Sequence, residues 1–433
     1  MAESADRAFL EPRAIRPVPD PLALYVRANR NDQPPLLDLL ARRDAKCFGI
    51  VIEATAVKAQ RELRDSAANA KLDVILDPRT LASATIGGFS TQMGTLPWGE
   101  ERPHQLADFA GLAGRRRVTE IAQFAISNGF TQVLAPTHLI TSSQDPWLEA
   151  DLANVAHLRN ALDKAHGAPV EILYVLAISY ALFRDEHERA NLIEALKGLP
   201  CKGLWLQIDG LGSHATAAGV RHYIAAARDF KELRLPVIAD GMGGLAGLAV
   251  VGFGAVGGLA HGVTFGERTD HASWRRARTS DPFGRRRRVY VRDLDLMFEP
   301  AEAESIVRSS TRASAALGCR DTHCCPRGLR DMLENPARHF LLQRMSQVAA
   351  MSQLPPNLRP AEFIDKFVRP TSDALLAASN WSLPTPEIVQ RVVRQRRRMD
   401  ALRIALLQDV QTARQGKVML PVARRQRDLR PGP

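Results

Sequence analysis

Eight short runs of β-branched and aliphatic residues recur through the first 264 positions, at 22–27, 48–53, 73–77, 132–136, 171–178, 203–209, 236–240 and 255–264. Helical periodicity fills most of the gaps. In 151–166, for instance, Leu152, Val155, Leu158 and Leu162 fall on one face. Runs such as Ile172-Leu-Tyr-Val-Leu-Ala-Ile178 are apolar throughout, as strands buried on both faces must be. Strand–helix alternation of this kind predicts parallel strands with helices outside, and eight such units close into a (β/α)₈ TIM barrel, an α/β fold. The chain has 433 residues, more than the roughly 250 of a barrel, so further modules are expected.

We divide the chain accordingly. Residues 1–20 form an N-terminal extension and 21–268 the barrel. Residues 269–353 hold a basic loop, a strand and a C-terminal metal-binding module. A helical tail covers 354–415, and a basic tail of disordered composition covers 416–433. No apolar run reaches the ~20 residues of a membrane span. The start, Met-Ala-Glu-Ser-Ala-Asp, lacks the basic and apolar regions of a secretory signal, so a cytoplasmic protein with no membrane partner is expected.

Three of the five cysteines lie in Cys319-Arg-Asp-Thr-His-Cys324-Cys325-Pro, and His339 follows on a helix opened by Pro336. Three thiolates and an imidazole complete a tetrahedral shell for structural Zn²⁺. His323 is the alternative fourth ligand, and packed cysteines without metal are the bland alternative. Clustered cysteines in a chain without a signal suit a metal in a reducing compartment better than a disulfide framework.

The net charge is +11, concentrated in nine arginines between Arg268 and Arg292 and in a second group on the C-terminal helix, Arg391 to Arg398. The row Arg285, Arg286, Arg287 and Arg288 has the donor geometry that grips phosphates, which points to a nucleic-acid partner; a solvated surface is the competing reading. An aromatic content of 6% disfavours a single-strand stacking platform.

In a barrel the active site lies at the carboxyl ends of the strands. There the sequence places Asp77, Asp209 and Asp240, with His138 and His261 as further polar groups. Carboxylates facing one mouth suit acid–base or nucleophilic work, although each could instead cap a helix. Gly243 and Gly244, with Gly257 and Gly258, lie where many barrels cradle a phosphate, although turns there require glycine too.

With these residues in view, the chain resembles the tRNA-guanine transglycosylase superfamily, including relatives that insert 7-deazaguanine bases into DNA. The likeness runs through about residues 20 to 345 and rests on order rather than identity. In that family a barrel is followed by a loop, a strand and a Cys₃His zinc module whose histidine sits in a helix. Cys319, Cys324, Cys325 and His339 stand in that order here, Asp77 matches a catalytic aspartate after the third strand, and Gly243-Gly244-Leu245-Ala246 is similar to a base-pocket segment.

The resemblance implies exchange of a purine for a 7-deazaguanine base in tRNA or DNA, with Asp77 catalytic, and among the strand-end carboxylates Asp240 is the candidate nucleophile. His138, Asp209, Gly243, Gly244 and His261 would bind substrate, and the chain would work alone, as a homodimer or with a second subunit. Two departures bear on this. The eighth run, Leu259-Ala260-His261-Gly262-Val263, holds no aspartate where the family keeps its nucleophile, and the cysteine spacing is Cys-x₄-Cys-Cys. Either Asp240, Asp209 or Glu267 attacks in its place, or the protein is a non-catalytic barrel that binds nucleic acid or a catalytic subunit. A barrel enzyme binding a small phosphorylated molecule is the third reading.

Overall fold

The computed structural model describes residues 21–277, 287–309 and 311–415, with no side-chain account for 411–415. The extension 1–20, the tail 416–433, and Arg285 and Arg286 lie outside the described residues. Eight strands form the barrel: β1 (Ala23–Ala28), β2 (Gly49–Glu53), β3 (Asp73–Asp77), β4 (Gln132–Leu134), β5 (Glu171–Ser179), β6 (Gly203–Asp209), β7 (Val237–Asp240) and β8 (Gly258–Gly262). Each pairs in parallel with the next. The pairing of Ala23 with Gly258 and of Arg27 with Gly262 closes the ring between β8 and β1. A short extension of the fourth strand, Leu139–Ile140, runs beside the end of β5.

Two cores result. Inside the barrel, alternate residues such as Tyr25, Val51, Ile75, Val175, Trp205 and Ile238 meet in layers. Outside it, the other strand face packs on helices α1 (Gln33–Ala41), α2 (Arg61–Asn69), α3 (Gly111–Ser127), α4 (Pro146–Lys164), α5 (Glu186–Leu196), α6 (Ala217–Ala227) and α7 (Gly244–Gly252). Side-chain caps start several of these: Asp145 accepts from the Trp147 amide, Asp185 from His187 and Glu188, and Thr216 from Gly219.

The eighth barrel helix is displaced along the sequence. After β8 the chain makes a hairpin, β9 (Val289–Val291) with β10 (Leu296–Phe298), in place of the single strand expected there. Short helices and the cysteine loop follow. Only then does α8 (Pro336–Ser352) pack against β1, α1 and α7 and close the helical layer. The cysteine module is therefore an insertion within the last β/α unit. Beyond it, Arg359–Phe363 packs on α7, while α9 (Arg369–Ala378) and α10 (Pro386–Gln415) pair with each other and α10 crosses α6. Among the described residues no helix is long and apolar enough to cross a membrane.

Candidate active site and metal centre

Strand parity decides which side chains reach the mouth. Tyr25 and Trp205 point into the barrel, so Arg27, Gln207 and Asp209 follow them toward its carboxyl end. The same alternation sends Glu53, Asp77 and Asp240 there. Arg27, which the sequence reading did not single out, joins the two expected aspartates. Its Nε and Nη2 donate to the two oxygens of Asp240 at 2.8 and 2.6 Å, and its Nη1 donates to Asp77 at 2.7 Å. The guanidinium lies 5.5 Å from the Trp205 ring, which packs on Tyr25.

Burial pushes the Asp240 carboxyl above its usual range, and Arg27 opposes that rise. Burial also works against the charge of Arg27, but Asp240 and Asp77 outweigh it and hold the guanidinium protonated. The Asp240 side chain is 0% exposed, with Gln207 Nε2 donating to it at 3.2 Å; that of Asp77 remains 15% exposed. Asp77 Oδ1 accepts from the Arg79 amide, and Arg79 reaches Glu53 at 2.9 Å.

One wall of the mouth comes from the segment after β8. His271 Nε2 lies 3.0 Å from Gln207 Oε1, and its amide donates to Asp209 at 2.5 Å. Trp274 packs on the ring, and its carbonyl accepts from the Gly87 amide on the opposite rim at 2.7 Å.

Other expected substrate groups stand elsewhere. Strand parity turns His261 outward, where its ring meets Phe340 of α8 and its Nδ1 approaches the Gly262 carbonyl at 2.9 Å. His138 faces the helical layer. Its Nδ1 and amide contact Asp151 of α4 at 2.6 and 2.8 Å, and its ring stacks on Trp147.

Gly243 and Gly244 do not leave room for a phosphate. The Gly244 amide donates to Glu267 at 2.9 Å and the Leu245 amide to Asp295 at 3.1 Å, so the chain's own carboxylates occupy the N-terminus of α7. A Cβ on Gly243 would sit 2.4 Å from Glu267, and Gly244 has a φ of +63°. Burial would raise the Glu267 carboxyl, but Arg344 of α8 and His261 outweigh it and lower it. Arg344 binds both oxygens of Glu267 at 2.7 and 3.0 Å, which ties that carboxylate to α8.

The Cys₃His set converges. The ligand atoms of Cys319, Cys324, Cys325 and His339 all lie within 4.8 Å of one another. His339 Nδ1 is 3.3 Å from each of the Cys324 and Cys325 sulfurs, which are 3.7 Å apart. Tetrahedral zinc with bonds of about 2.3 Å to sulfur and 2.0 Å to nitrogen would give edges of about 3.8 and 3.5 Å. The other ring nitrogen, Nε2, lies 3.0 Å from the Tyr290 carbonyl, a contact that fixes the tautomer with Nδ1 free to bind. The four residues can therefore hold a metal ion, and their chemistry is compatible with zinc. His323 instead reaches Asp44 at 2.9 Å and is not the fourth ligand.

A cavity of about 1130 Å³ lies between the β1–α1 connection, the exit of β8 and the cysteine loop, and touches the barrel mouth at Glu53. Arg287 and Arg288 line it. Arg287 donates to the Glu334 carbonyl, and Arg288 lies 4.9 Å from the Phe265 ring. The second arginine group does not form one basic face. Arg391 binds Glu302 and Arg398 binds Asp295, while Arg394 and Arg397 are exposed.

No family model and no curated protein matches this chain. The solved structures that this chain is similar to are matched only at low identity and low TM-score. The thiamine phosphate pyrophosphorylase of Pyrococcus furiosus is 13% identical, with 56% of this chain and 85% of that one covered and a TM-score of 0.29. The 3-dehydroquinate dehydratase of Enterococcus faecalis is 10% identical, covering 56% and 89%, with a TM-score of 0.32. The carboxyl transferase domain of Rhizobium etli pyruvate carboxylase is 10% identical, covering 90% and 62%, with a TM-score of 0.38. The fold class thus rests on the strand register. The chain is a closed parallel (β/α)₈ barrel with a Cys₃His cluster set into its last unit and a helical tail.

Proposed function

We propose that the chain is a cytoplasmic base-exchange enzyme of the tRNA-guanine transglycosylase type, replacing a purine by a 7-deazaguanine base in tRNA or DNA and carrying structural zinc. The observation that carries the reading is the pair Asp77 and Asp240 joined by Arg27 at the mouth, beside an arginine-lined cavity that meets it at Glu53. A nucleic acid in that cavity could turn one nucleotide past Glu53 into the mouth, as enzymes acting on a base require.

The roles differ from those the sequence suggested. Asp240 is wholly buried and gives both oxygens to the one guanidinium of Arg27, so it positions Arg27 and does not attack. Asp77, still partly exposed beside a fixed positive charge, is the nucleophile. Its carboxylate attacks C1′ as the C1′–N9 bond breaks, and that electron pair leaves on the purine, which takes up a proton. The incoming base loses its N9 proton and attacks C1′, the sugar ester breaks, and the carboxylate is restored. Zinc would be held by Cys319, Cys324, Cys325 and His339, docking the inserted module on the barrel.

Asp77→Asn should lower incorporation of labelled 7-deazaguanine into tRNA or DNA by at least about 10³-fold while nucleic-acid binding survives. A wild-type protein that incorporates base into neither substrate ends the enzyme reading. The full engagement of Asp240 favours one alternative, a barrel that binds nucleic acid without cutting it, and salt-dependent binding without exchange would identify it.

A further inference from the structure

The inner wall of the mouth holds a polar atom that the reaction above does not use. His271 is 1% exposed, and its Nδ1 is buried with no hydrogen-bond partner among the described residues. The state of that atom follows from its neighbours. Asp240, bound to Arg27 through both oxygens, can only accept, so Gln207 turns its Nε2 toward Asp240 at 3.2 Å. The Gln207 Oε1 must then face His271 and accept from Nε2–H at 3.0 Å. That bond fixes the tautomer and leaves Nδ1 as a bare lone pair.

The atom is also held in place. The Gly210 amide donates to the Thr269 carbonyl, the Ser213 amide to the Glu267 carbonyl, and the Gly87 amide to the Trp274 carbonyl across the rim. A buried acceptor without a donor is unfavourable, and this one stands beside Gln207 and, through it, Asp240 at the carboxyl end of the strands. Something that binds in the mouth can supply the missing donor.

We propose that His271 is a substrate-recognition residue whose Nδ1 accepts a hydrogen bond from a ring N–H of the heterocycle bound in the mouth, with Gln207 and Asp240 as its positioning residues. This inference rests on the base-exchange reading and identifies the wall against which the base is held. Its ligand is a planar heterocycle with an N–H donor, the free 7-deazapurine above all.

Two substitutions separate recognition from packing. An asparagine amide oxygen can take the place of Nδ1, whereas a glutamine amide nitrogen can take the place of Nε2. His271→Gln keeps the Gln207 contact and removes the acceptor. Its KM for 7-deazaguanine should rise at least tenfold with kcat within a few-fold, and its Kd by equilibrium dialysis should rise in parallel. His271→Asn should restore most of the affinity. If His271 only packs the wall, the order reverses, with His271→Gln near wild type and His271→Asn impaired, and the proposal fails.

A ligand series removes dependence on the variants' folding. Replacing one ring N–H of the base at a time by N–CH₃ should weaken binding to wild type at least tenfold at a single position. A series in which no position does so also overturns the proposal. Wild-type protein that binds no deazapurine and incorporates none refutes the base-exchange reading itself, whereas binding unaffected by His271→Gln refutes only the role of His271.

Discussion

Replacing Arg27 by methionine would leave Asp240 in the barrel with no cation beside it. Breaking a buried pair from one side costs about 3–5 kcal/mol, because the remaining charge has lost both water and partner. Arg27→Met should therefore lower stability by that amount in urea denaturation, and Arg27→Met combined with Asp240→Leu should recover most of it. A single variant losing less than about 1 kcal/mol would show the bridge to be no more than a surface pair. Arg27 was missed because one arginine in an apolar strand gives no motif. Its role exists only through Asp77, 50 positions away, and Asp240, 213 positions away. The aspartates were legible because strand ends in a barrel converge. His261 was misplaced for a related reason: on β8 one residue of parity moves a side chain from the lumen to the helical layer.

At the scale of elements, the cysteine loop and α8 act as one unit. His339 sits in the first turn of α8, and α8 packs on β1, so an ion held by the four ligands joins the inserted module to the barrel wall. Structural zinc contributes on the order of 10 kcal/mol in small domains. Cys324→Ser, or a strong chelator, should release one equivalent of metal by elemental analysis and open residues 287–335 to proteolysis before the barrel. Loss of metal with no change in cleavage would remove the docking role. The module's composition was readable from three cysteines and a histidine, but its position inside the last β/α unit was not. That position depends on where α8 packs, which local spacing does not encode. The glycines at the start of α7 give the opposite lesson. Their pattern suits an anion, and the structure supplies two carboxylates from within the chain, Glu267 and Asp295.

For the whole molecule, acid should act well above the ordinary carboxylate range. Burial lowers His271 to about 4, and burial followed by His138 and Arg117 lowers His104 to about 4. Both folded values lie below the ordinary histidine value of about 6.5, so the folded state favours the neutral rings. Above about pH 6.5 neither group affects stability. Between about 6.5 and 4 the unfolded chain takes up protons that the fold refuses, and stability falls by up to about 1.4 kcal/mol per pH unit for each group. Urea midpoints measured from pH 7 to 4 should decline over this window, and His271→Asn should flatten the decline; a flat wild-type profile would contradict it. The sequence alone determined the barrel, because the alternation of apolar strands and amphipathic helices is local and is repeated eight times. It also named the four donors that can hold a metal, Cys319, Cys324, Cys325 and His339, while the choice of His339 over His323 came from the fold. Tertiary structure decided the make-up of the candidate site. Which carboxylate is engaged by arginine, which histidine faces the lumen and which atom lacks a partner all depend on contacts between distant strands, and those arise only when the ring closes.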